Sequence, residues 1–486
     1  MKSAVLKFGP VILLTAVVIL SRLPQLFSEH LVLDGDESIV GLMAKHLSEG
    51  KEISYFFWGQ SYGFSLVETG IIAIGFKFFS VSDYTVKIAM LALWLIAVLV
   101  FYKTSLTIFK QEKSKAILLT LVLILLPAWG VWAMKARGGY LTAFLLSNIV
   151  LYLFFKKQDN MRFRDWLLCG AFGVTIFFSQ PFFLAGLLPF LLFFAYRKPI
   201  FKKVFPLALG VGGALAIFLL LRINTADYWK PHVLQIPFKH YGFADFFQNF
   251  FHHCTGYYYL NEQYKPPLIT TITAAFFILT LLGCMGVAVY RLQKKIHTHP
   301  LLLPALASVV VTAGYAFVID MSQLRYFLPF TGYSLLFVGT VFYKIRLAQF
   351  STFMAALFLI VCGISIYSFR GYKFDKESQS DVYNLIGYLQ SKNITHVFCK
   401  DSQLQWKLMF YSHEKVIARY VYATDRKPKY VKEVNAALQN NPQRVAVITF
   451  MQSDQISLPQ TEQKIGRFFI YTNITRSEIE RLGFKF

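Results

Sequence analysis

The sequence predicts an all-α polytopic membrane protein with about eleven transmembrane helices and a small α/β domain at its C-terminal end. Composition is the first observation: 56% of the 486 residues are hydrophobic and the mean hydropathy is +0.48, far above an ordinary soluble protein. The second is the presence of about eleven apolar segments suited to a hydrocarbon core of ~30 Å. The third is that residues 370–486 contain no such segment.

The predicted spans share an apolar run that is bounded by charged or turn-forming residues. They are residues 8–27, 86–102, 116–133, 140–155, 166–179, 182–196, 204–222, 268–290, 301–319, 326–343 and 351–369. Two interpretations remain for 166–196, because Ser179-Gln180-Pro181 forms either a turn between two short spans or a kink in one.

The distribution of lysine and arginine predicts the orientation of the spans. Basic residues concentrate at the N-terminus and in the loops after even-numbered spans, whereas residues 28–84 carry eight acids against three lysines. We therefore expect a cytoplasmic N-terminus, outer loops at 28–85 and 223–267, and two domains: a transmembrane domain at 1–369 and an extracytoplasmic domain at 370–486. Much of the excess positive charge behind the net charge of +23 sits in short loops between spans, where it sets their orientation, so nucleic acid is not expected as a partner.

The C-terminal domain has a mixed pattern of helices and strands. Helical spacing occurs at residues 382–389 and 404–411, and apolar runs at 395–399 and 444–450 are typical of strands. This pattern predicts a small α/β fold.

The first outer loop contains Leu33-Asp34-Gly35-Asp36-Glu37-Ser38, which places three carboxylates within four residues. Residues 39–49 carry apolar side chains on one helical face and predict a helix that lies on the membrane surface. The simplest interpretation makes Asp36 the N-cap of that helix and places Glu37 in its first turn. The additional Asp34 favours a functional cluster, because nearby like charges at a membrane boundary are costly. Asp34 and Asp36 could also hold a divalent metal ion.

Two further motifs accompany this cluster. An aromatic segment, Gln60-Ser61-Tyr62-Gly63-Phe64-Ser65-Leu66, is followed by the acid Glu68, and Arg325-Tyr326-Phe327-Leu328-Pro329 opens a late span. With the acids after the first span, these motifs resemble the GT-C membrane glycosyltransferases, in particular the protein mannosyltransferase and aminoarabinose transferase group (family 39). The resemblance covers the first ten spans. Val67 separates Leu66 from the acid where the related motif reads Ser-Leu-Glu, so the motif does not fix the role of Glu68.

The resemblance implies a GT-C type fold, a polyprenyl-phosphate sugar as donor, and Asp36 as the general base. A phosphate can leave without being protonated, so one carboxylate that accepts the proton of the acceptor hydroxyl is sufficient. Direct displacement would invert the anomeric centre. We expect Glu37 and Asp34 to assist Asp36 by tuning its pKa or by holding a divalent ion.

The departing lipid phosphate requires fixed positive charge. Lys135 and Arg137 precede the fourth span and Arg325 precedes the tenth, and all three are outward cations at span ends. We expect them to contact the donor phosphate, although Arg325 could instead anchor its helix end or pair with Asp320. The complete set of predicted substrate-binding residues is Lys135, Arg137, Arg325, Tyr326, Gln60, Tyr62 and Glu68.

Several functional alternatives follow from the same residues. A transporter or flippase of lipid-linked saccharides would keep ionisable groups near the middle of the membrane, whereas these acids gather at one outer boundary, which favours an enzyme. His252 and His253 are adjacent and point in different directions on any regular element, so an aromatic interfacial loop is favoured over a metal site. The acceptor remains open between lipid, glycan and protein. We expect a bacterial inner membrane location, with membrane lipids as further partners.

Overall fold

The computed structural model describes residues 2–28, 31–196, 200–223, 242–256, 268–296, 298–317, 324–343, 378–450 and 462–486. The described α-helices before residue 344 are α1 (Lys2–Leu20), α2 (Leu23–Leu26), α3 (Gly35–Ser48), α4 (Leu66–Phe78), α5 (Asp83–Ile108), α6 (Lys113–Leu125), α7 (Pro127–Trp132), α8 (Tyr140–Lys157), α9 (Phe163–Ser179), α10 (Pro181–Tyr196), α11 (Phe201–Ile223), α12 (Phe243–Thr255), α13 (Leu268–Gln293), α14 (Leu302–Ala316) and α15 (Leu328–Phe342). The C-terminal part adds α16 (Gln379–Ser391), β1 (His396–Cys399), α17 (Ser402–Tyr411), β2 (Ile417–Arg419), α18 (Pro428–Asn440), β3 (Val445–Thr449), β4 (Glu462–Ile465), β5 (Phe468–Thr472) and α19 (Arg476–Arg481).

Long apolar helices indicate a multi-pass membrane protein. Within the described residues, five segments are long and apolar enough to cross a membrane: Phe8–Leu26, Asp83–Ile108, Tyr140–Lys157, Phe201–Leu221 and Leu268–Gln293. Two shorter apolar helices are Pro181–Tyr196 and Leu302–Tyr315. The predicted number of about eleven spans is not confirmed, and the span predicted at 351–369 lies outside the described residues.

Prolines mark where neighbouring helices separate. Pro127 begins α7 directly after Leu126, which has an extended backbone, so the segment predicted as one span at 116–133 consists of two helices. Pro181 begins α10 after Gln180, whose backbone is also extended (φ −151°, ψ 98°). The helix is therefore interrupted at Gln180, in agreement with the turn interpretation of 166–196, since proline is well accommodated in the first turn of a helix.

A stack of aromatic side chains joins three of the helices in the membrane part, α5, α7 and α8. The rings of Trp94 in α5 and Trp129 in α7 lie 5.0 Å apart, and Trp129 lies 4.3 Å from Phe144 in α8. All three side chains are buried. Aromatic packing of this kind fixes helix ends relative to one another, and here it fixes both ends of the loop at 133–139, which carries two of the predicted cations.

Helix α3 forms as predicted but does not lie exposed on a surface. Its polar residues Lys45 and His46 are only 5% and 8% exposed, because both contact Glu414 of the C-terminal part. The polar face of this helix therefore meets the C-terminal part, and its position on a membrane surface stays a prediction. An amphipathic pattern reports that one face is polar, but that face can meet a second domain instead of water.

The C-terminal part is an α/β unit with one five-stranded sheet in the order β2-β1-β3-β5-β4. Strands β1, β2 and β3 pair in parallel, and β5 joins antiparallel to β3 and β4. The helices and strands predicted between 382 and 450 all occur at the expected places. Helix α17 packs on β1 and β2 on one side and on α3 on the other, so its residues Leu404 to Tyr411 are all buried.

Candidate active site

Asp34, not Asp36, is the N-cap of α3. The Asp34 carboxylate accepts a hydrogen bond from the Glu37 N–H at 2.9 Å, and the Glu37 carboxylate accepts one from the Asp34 N–H at 3.3 Å. This reciprocal pair is a capping box. The interpretation of Asp36 as the cap is wrong by two residues, and its carboxylate is consequently available for contacts outside the helix.

Lys135 and Arg137 bring their positive charges against Asp34 and Asp36. Lys135 Nζ lies 2.7 Å from Asp34 Oδ2, while the Arg137 guanidinium lies 3.4 Å from Asp34 and 2.5 Å from Asp36 Oδ2. Burial by itself would raise the pKa of Asp34, but the charges of Lys135 and Arg137 hold it well below its usual range. Asp34 is therefore an ionised structural carboxylate over the whole physiological pH range.

Glu37 belongs to a buried ion pair that the sequence did not suggest. Its Oε1 lies 2.6 Å from Lys87 Nζ on α5, and both side chains are at most 1% exposed. The Ala136 N–H also donates to this carboxylate at 3.3 Å. Glu37 thus ties α3 to α5 and to the 133–139 loop. A charge paired in this way is suited to holding residues 33–38, which we call the acid loop, in place.

Glu68 lies behind the loop that carries Arg137. Its buried carboxylate accepts the Gly139 N–H at 3.2 Å, next to the first turn of α8. Burial raises the pKa of Glu68 to about 7, although backbone N–H groups at Gly139, Thr142 and Leu141 favour the charged form. Gly139 has a left-handed backbone (φ 86°), and a Cβ there would lie 2.6 Å from a carbonyl oxygen. Glu68 and Gly139 together fix the turn.

Tyr62, Arg325 and Tyr326 lie near the acid cluster, and we use the word cleft for the acids, cations and tyrosines gathered here. The Tyr62 hydroxyl lies within electrostatic range of Asp36, Arg325, Tyr326 and Arg426, and burial raises its pKa. The Arg325 guanidinium stacks on the Tyr326 ring with 5.4 Å to its centroid. The buried Nε of Arg325 has no hydrogen-bond partner among the described residues. Arg325 is therefore a cation with unused donor capacity.

The remaining residues singled out in the sequence are Gln60, the two histidines and Asp320. The half-buried Gln60 is part of the turn that includes Gly63, where its Oε1 would lie 3.4 Å from an added Cβ. His253 is buried and pairs with Thr331 at 2.9 Å. Asp320, the alternative partner of Arg325, lies outside the described residues.

The structure adds one cation from the C-terminal domain, Arg426. Its Nη2 lies 3.8 Å from Asp36 Oδ1, its Nη1 donates to the Trp58 carbonyl at 3.3 Å, and its guanidinium lies 4.9 Å from the centre of the Phe57 ring. Neither motif nor spacing relates it to the acid loop, from which it is separated by almost the entire chain. Only the presence of a basic segment, Arg426-Lys427, could have suggested it.

The charges of the cleft show which cations are left for a ligand. Three carboxylates, Asp34, Asp36 and Glu37, face three close cations, Lys135, Arg137 and Lys87. Arg325 and Arg426 are additional, with no carboxylate within hydrogen-bond distance among the described residues. The described residues contain no group of three His, Cys, Asp or Glu that could hold a metal ion, and Asp34 and Asp36 are turned toward cations. A divalent ion on these two acids does not fit this arrangement, whereas an anion does.

The chain has the fold of the GT-C superfamily of membrane glycosyltransferases, and the fold expected from the sequence motifs is confirmed. ArnT from Cupriavidus metallidurans bound to undecaprenyl phosphate is similar with a TM-score of 0.62 and 11% identity, over 96% of this chain and 99% of that chain. The apo state of the same ArnT gives a TM-score of 0.52 at 12% identity, over 96% and 98%. An oligosaccharyltransferase from Archaeoglobus fulgidus, in complex with Zn and sulfate, gives 0.52 at 12% identity, over 90% and 67%.

These similarities concern the fold. No protein-family model matches the chain, and no curated protein sequence matches it significantly.

Proposed function

We propose that this protein is an integral membrane glycosyltransferase that transfers a sugar from a polyprenyl-phosphate donor to a hydroxyl of a lipid, glycan or protein acceptor. The observation that carries the proposal is the cleft itself: one carboxylate, Asp36, beside two surplus cations, Arg325 and Arg426. The GT-C fold supports it, since ArnT with the same fold binds undecaprenyl phosphate. The distribution of basic residues supports a cleft on the extracytoplasmic side of a bacterial inner membrane.

Asp36 is the general base in this proposal because the other acids are engaged. Asp34 caps α3, Glu37 is paired with Lys87, and Glu68 holds the turn at Gly139. Asp36 binds Arg137 through Oδ2 only, and its Oδ1 is 3.8 Å from the nearest cation, too far for a hydrogen bond. That oxygen can accept the proton of an acceptor hydroxyl.

The reaction is a single displacement at the anomeric carbon. The acceptor oxygen forms its bond to this carbon as the bond to the phosphate oxygen breaks, the phosphate leaves with the electron pair, and Asp36 takes the hydroxyl proton. The anomeric configuration inverts. Arg137 orients Asp36 in this scheme, at 2.5 Å from Oδ2, and Lys135 does the same for Asp34.

Arg325 and Arg426 act on the leaving group. A polyprenyl-phosphate sugar is a phosphodiester with one negative charge, and the lipid phosphate released from it gains a second. Two cations without a hydrogen-bonded carboxylate match that developing charge, and stabilisation of charge as it develops is usually the largest single contribution to catalysis. Tyr62 lies within electrostatic range of both cations and of the base, and Arg325 stacks on the Tyr326 ring.

The first test compares sugar transfer by wild-type membranes and by Asp36→Asn at matched expression, using radiolabelled polyprenyl-phosphate sugars. We expect transfer to fall by at least about a hundredfold, because general-base catalysis contributes 10²–10⁴-fold. Asp245→Asn is the matched control, since Asp245 is an exposed acid at the start of α12. Full activity in Asp36→Asn would exclude it as the base, and absence of transfer by the wild type from every donor would favour a transporter of lipid-linked saccharides.

A further inference from the structure

The C-terminal domain contacts the backbone of the acid loop directly. The Gly35 N–H donates a hydrogen bond to Gln403 Oε1 at 2.7 Å, and the Leu33 N–H donates to Tyr411 Oη at 2.9 Å. Gln403 and Tyr411 stand at opposite ends of α17. One helix of the C-terminal domain therefore holds the loop on both sides of Asp34, immediately before Asp36.

Gln403 completes the N-terminus of the helix that carries Asp36. The first N–H groups of any α-helix have no partner within the helix. In α3, the Glu37 N–H is satisfied locally by Asp34, whereas the Gly35 N–H is satisfied from the other domain. A Cβ on residue 35 would lie 2.7 Å from the Gln403 Cα, so the close approach of α17 accounts for a glycine between two aspartates.

Helix α17 is itself held in place at both ends, so it can set the position of the residues that bind to it. Asp401 caps its first turn by accepting the N–H groups of Gln403 and Leu404, both at 2.8 Å. At its other end, Tyr411 donates to Asp83 Oδ2 at 3.0 Å. Both ends of the helix are therefore fixed by hydrogen bonds, one within the C-terminal domain and one to the first turn of α5.

The same helix also holds the segment that carries Arg426. Gln405, two residues after Gln403, donates from Nε2 to Asp425 Oδ2 at 2.5 Å. Gln403 fixes the acid helix and Gln405 fixes the residue before Arg426. The separation of Asp36 and Arg426 is thus determined by two side chains of one buried helix.

We propose that Gln403 is a positioning residue for Asp36, so that the C-terminal domain is a working part of the active site and not only a neighbour of it. This inference rests on the proposed function, because the contact between Gln403 and Gly35 matters for catalysis only if Asp36 is the base. Loss of the contact leaves the donor phosphate site intact and misaligns the carboxylate. Misplacement of a reacting group by 1 Å can cost about a hundredfold in rate.

The test uses the full-length protein in lipid nanodiscs with three substitutions. Gln403→Leu removes the acceptor oxygen, and Gln403→Glu retains an oxygen for the Gly35 N–H. Gln379→Leu is the matched control, because Gln379 also belongs to the C-terminal domain and donates to Asp83 Oδ2 at 2.9 Å, and its replacement leaves the Tyr411 bond to the same oxygen in place. A purely structural loss would affect Gln403→Leu and Gln379→Leu alike.

Two measurements decide the proposal. In sugar transfer from the polyprenyl-phosphate donor, we expect Gln403→Leu to lower kcat between tenfold and a hundredfold with the donor KM unchanged, Gln403→Glu to recover most of that loss, and Gln379→Leu to resemble the wild type. In hydrogen–deuterium exchange, the peptide covering 33–38 should exchange at least tenfold faster in Gln403→Leu only. An unchanged kcat, or an equal loss in Gln379→Leu, would overturn the inference.

The exchange measurement separates this inference from the proposed function. If the wild type transfers no sugar from any donor, the proposed function fails and a catalytic role for Gln403 fails with it. If the wild type transfers sugar and Gln403→Leu exchanges and reacts like the wild type, the function stands and only the positioning role is excluded.

Discussion

The ion pairs inside the membrane domain and those at its contact with the C-terminal domain are built differently. Lys87 and Glu37 are at most 1% exposed and lie 2.6 Å apart. At the domain contact, Lys427 and Glu52 are 13% and 35% exposed. Breaking a buried pair leaves an uncompensated charge, whereas a partly solvated pair can exchange its partner for water. The acid cluster is therefore fixed from the membrane side by a fully buried pair, whereas the ion pairs at the domain contact retain partial exposure.

The largest expected effect is the loss of the buried pair. Lys87→Met leaves Glu37 without its closest cation, and we expect the free energy of unfolding to fall by about 3–5 kcal/mol. Thermal unfolding in detergent measures this. The double variant Lys87→Met with Glu37→Gln removes both charges and should recover part of the loss. A single variant as stable as the wild type would contradict the contrast between the two regions.

An intermediate effect is expected for the cation from the C-terminal domain. Arg426→Gln should weaken the binding of polyprenyl phosphate about tenfold at pH 7.5, since a charged hydrogen bond contributes about 1.5–3 kcal/mol. Binding to nanodisc-embedded protein gives the Kd. Arg444→Gln is the control, because Arg444 is an exposed arginine of the same domain. If Arg426→Gln and the wild type bind polyprenyl phosphate with equal affinity, Arg325 is left as the phosphate ligand and Arg426 only joins the C-terminal domain to the membrane part.

The smallest effect concerns pH at the domain contact. His46 lies 2.9 Å from Glu414 and 3.8 Å from Glu52. Burial alone would lower the pKa of His46, but these two acids raise it above its usual value. Contact with His46 in turn contributes most to lowering the pKa of Glu52 to about 2.

The two shifts have opposite consequences for stability. A histidine whose pKa is raised in the folded state contributes its full stabilisation below about pH 6.5, and this contribution disappears as the pH rises through the pKa of the folded state. A glutamate whose pKa is lowered contributes its stabilisation above about pH 4.5, and this contribution disappears as the pH falls through the pKa of the folded state. We expect the Tm advantage of the wild type over His46→Gln, a few degrees at pH 6, to shrink toward pH 9. His396→Gln, where burial lowers the histidine pKa, should not show this decrease; an advantage independent of pH for His46 would exclude the ionic contact.

The parts of the site that the sequence predicted are charged residues that lie next to predicted membrane spans. The acid cluster, the outward Lys135 and Arg137, and the late Arg325 stand out because ionisable residues are rare beside apolar runs. Lys87 was missed because a lysine at the edge of a long apolar segment has the pattern of an ordinary span end. Its role depends on a carboxylate fifty residues away.

Residues that act between domains could not be found in this way. Gln403 and Arg426 lie in a domain whose own pattern predicts only its helices and strands, and hydrophobic periodicity does not encode which faces of two domains meet. The same limitation applies to α3, whose polar residues Lys45 and His46 contact Glu414 of the C-terminal part.

The hydrogen bond between Gly35 and Gln403 has a consequence for biosynthesis. Its two residues are separated by 368 positions, so the ribosome must synthesise the whole membrane part of the site before the helix with the proposed base can receive its Gln403 partner. A nascent chain, or one truncated before α17, carries every charged residue of the membrane part of the cleft and still lacks that partner. Under the proposed function, competence for catalysis would thus be acquired only after α17 has been synthesised and has packed against α3.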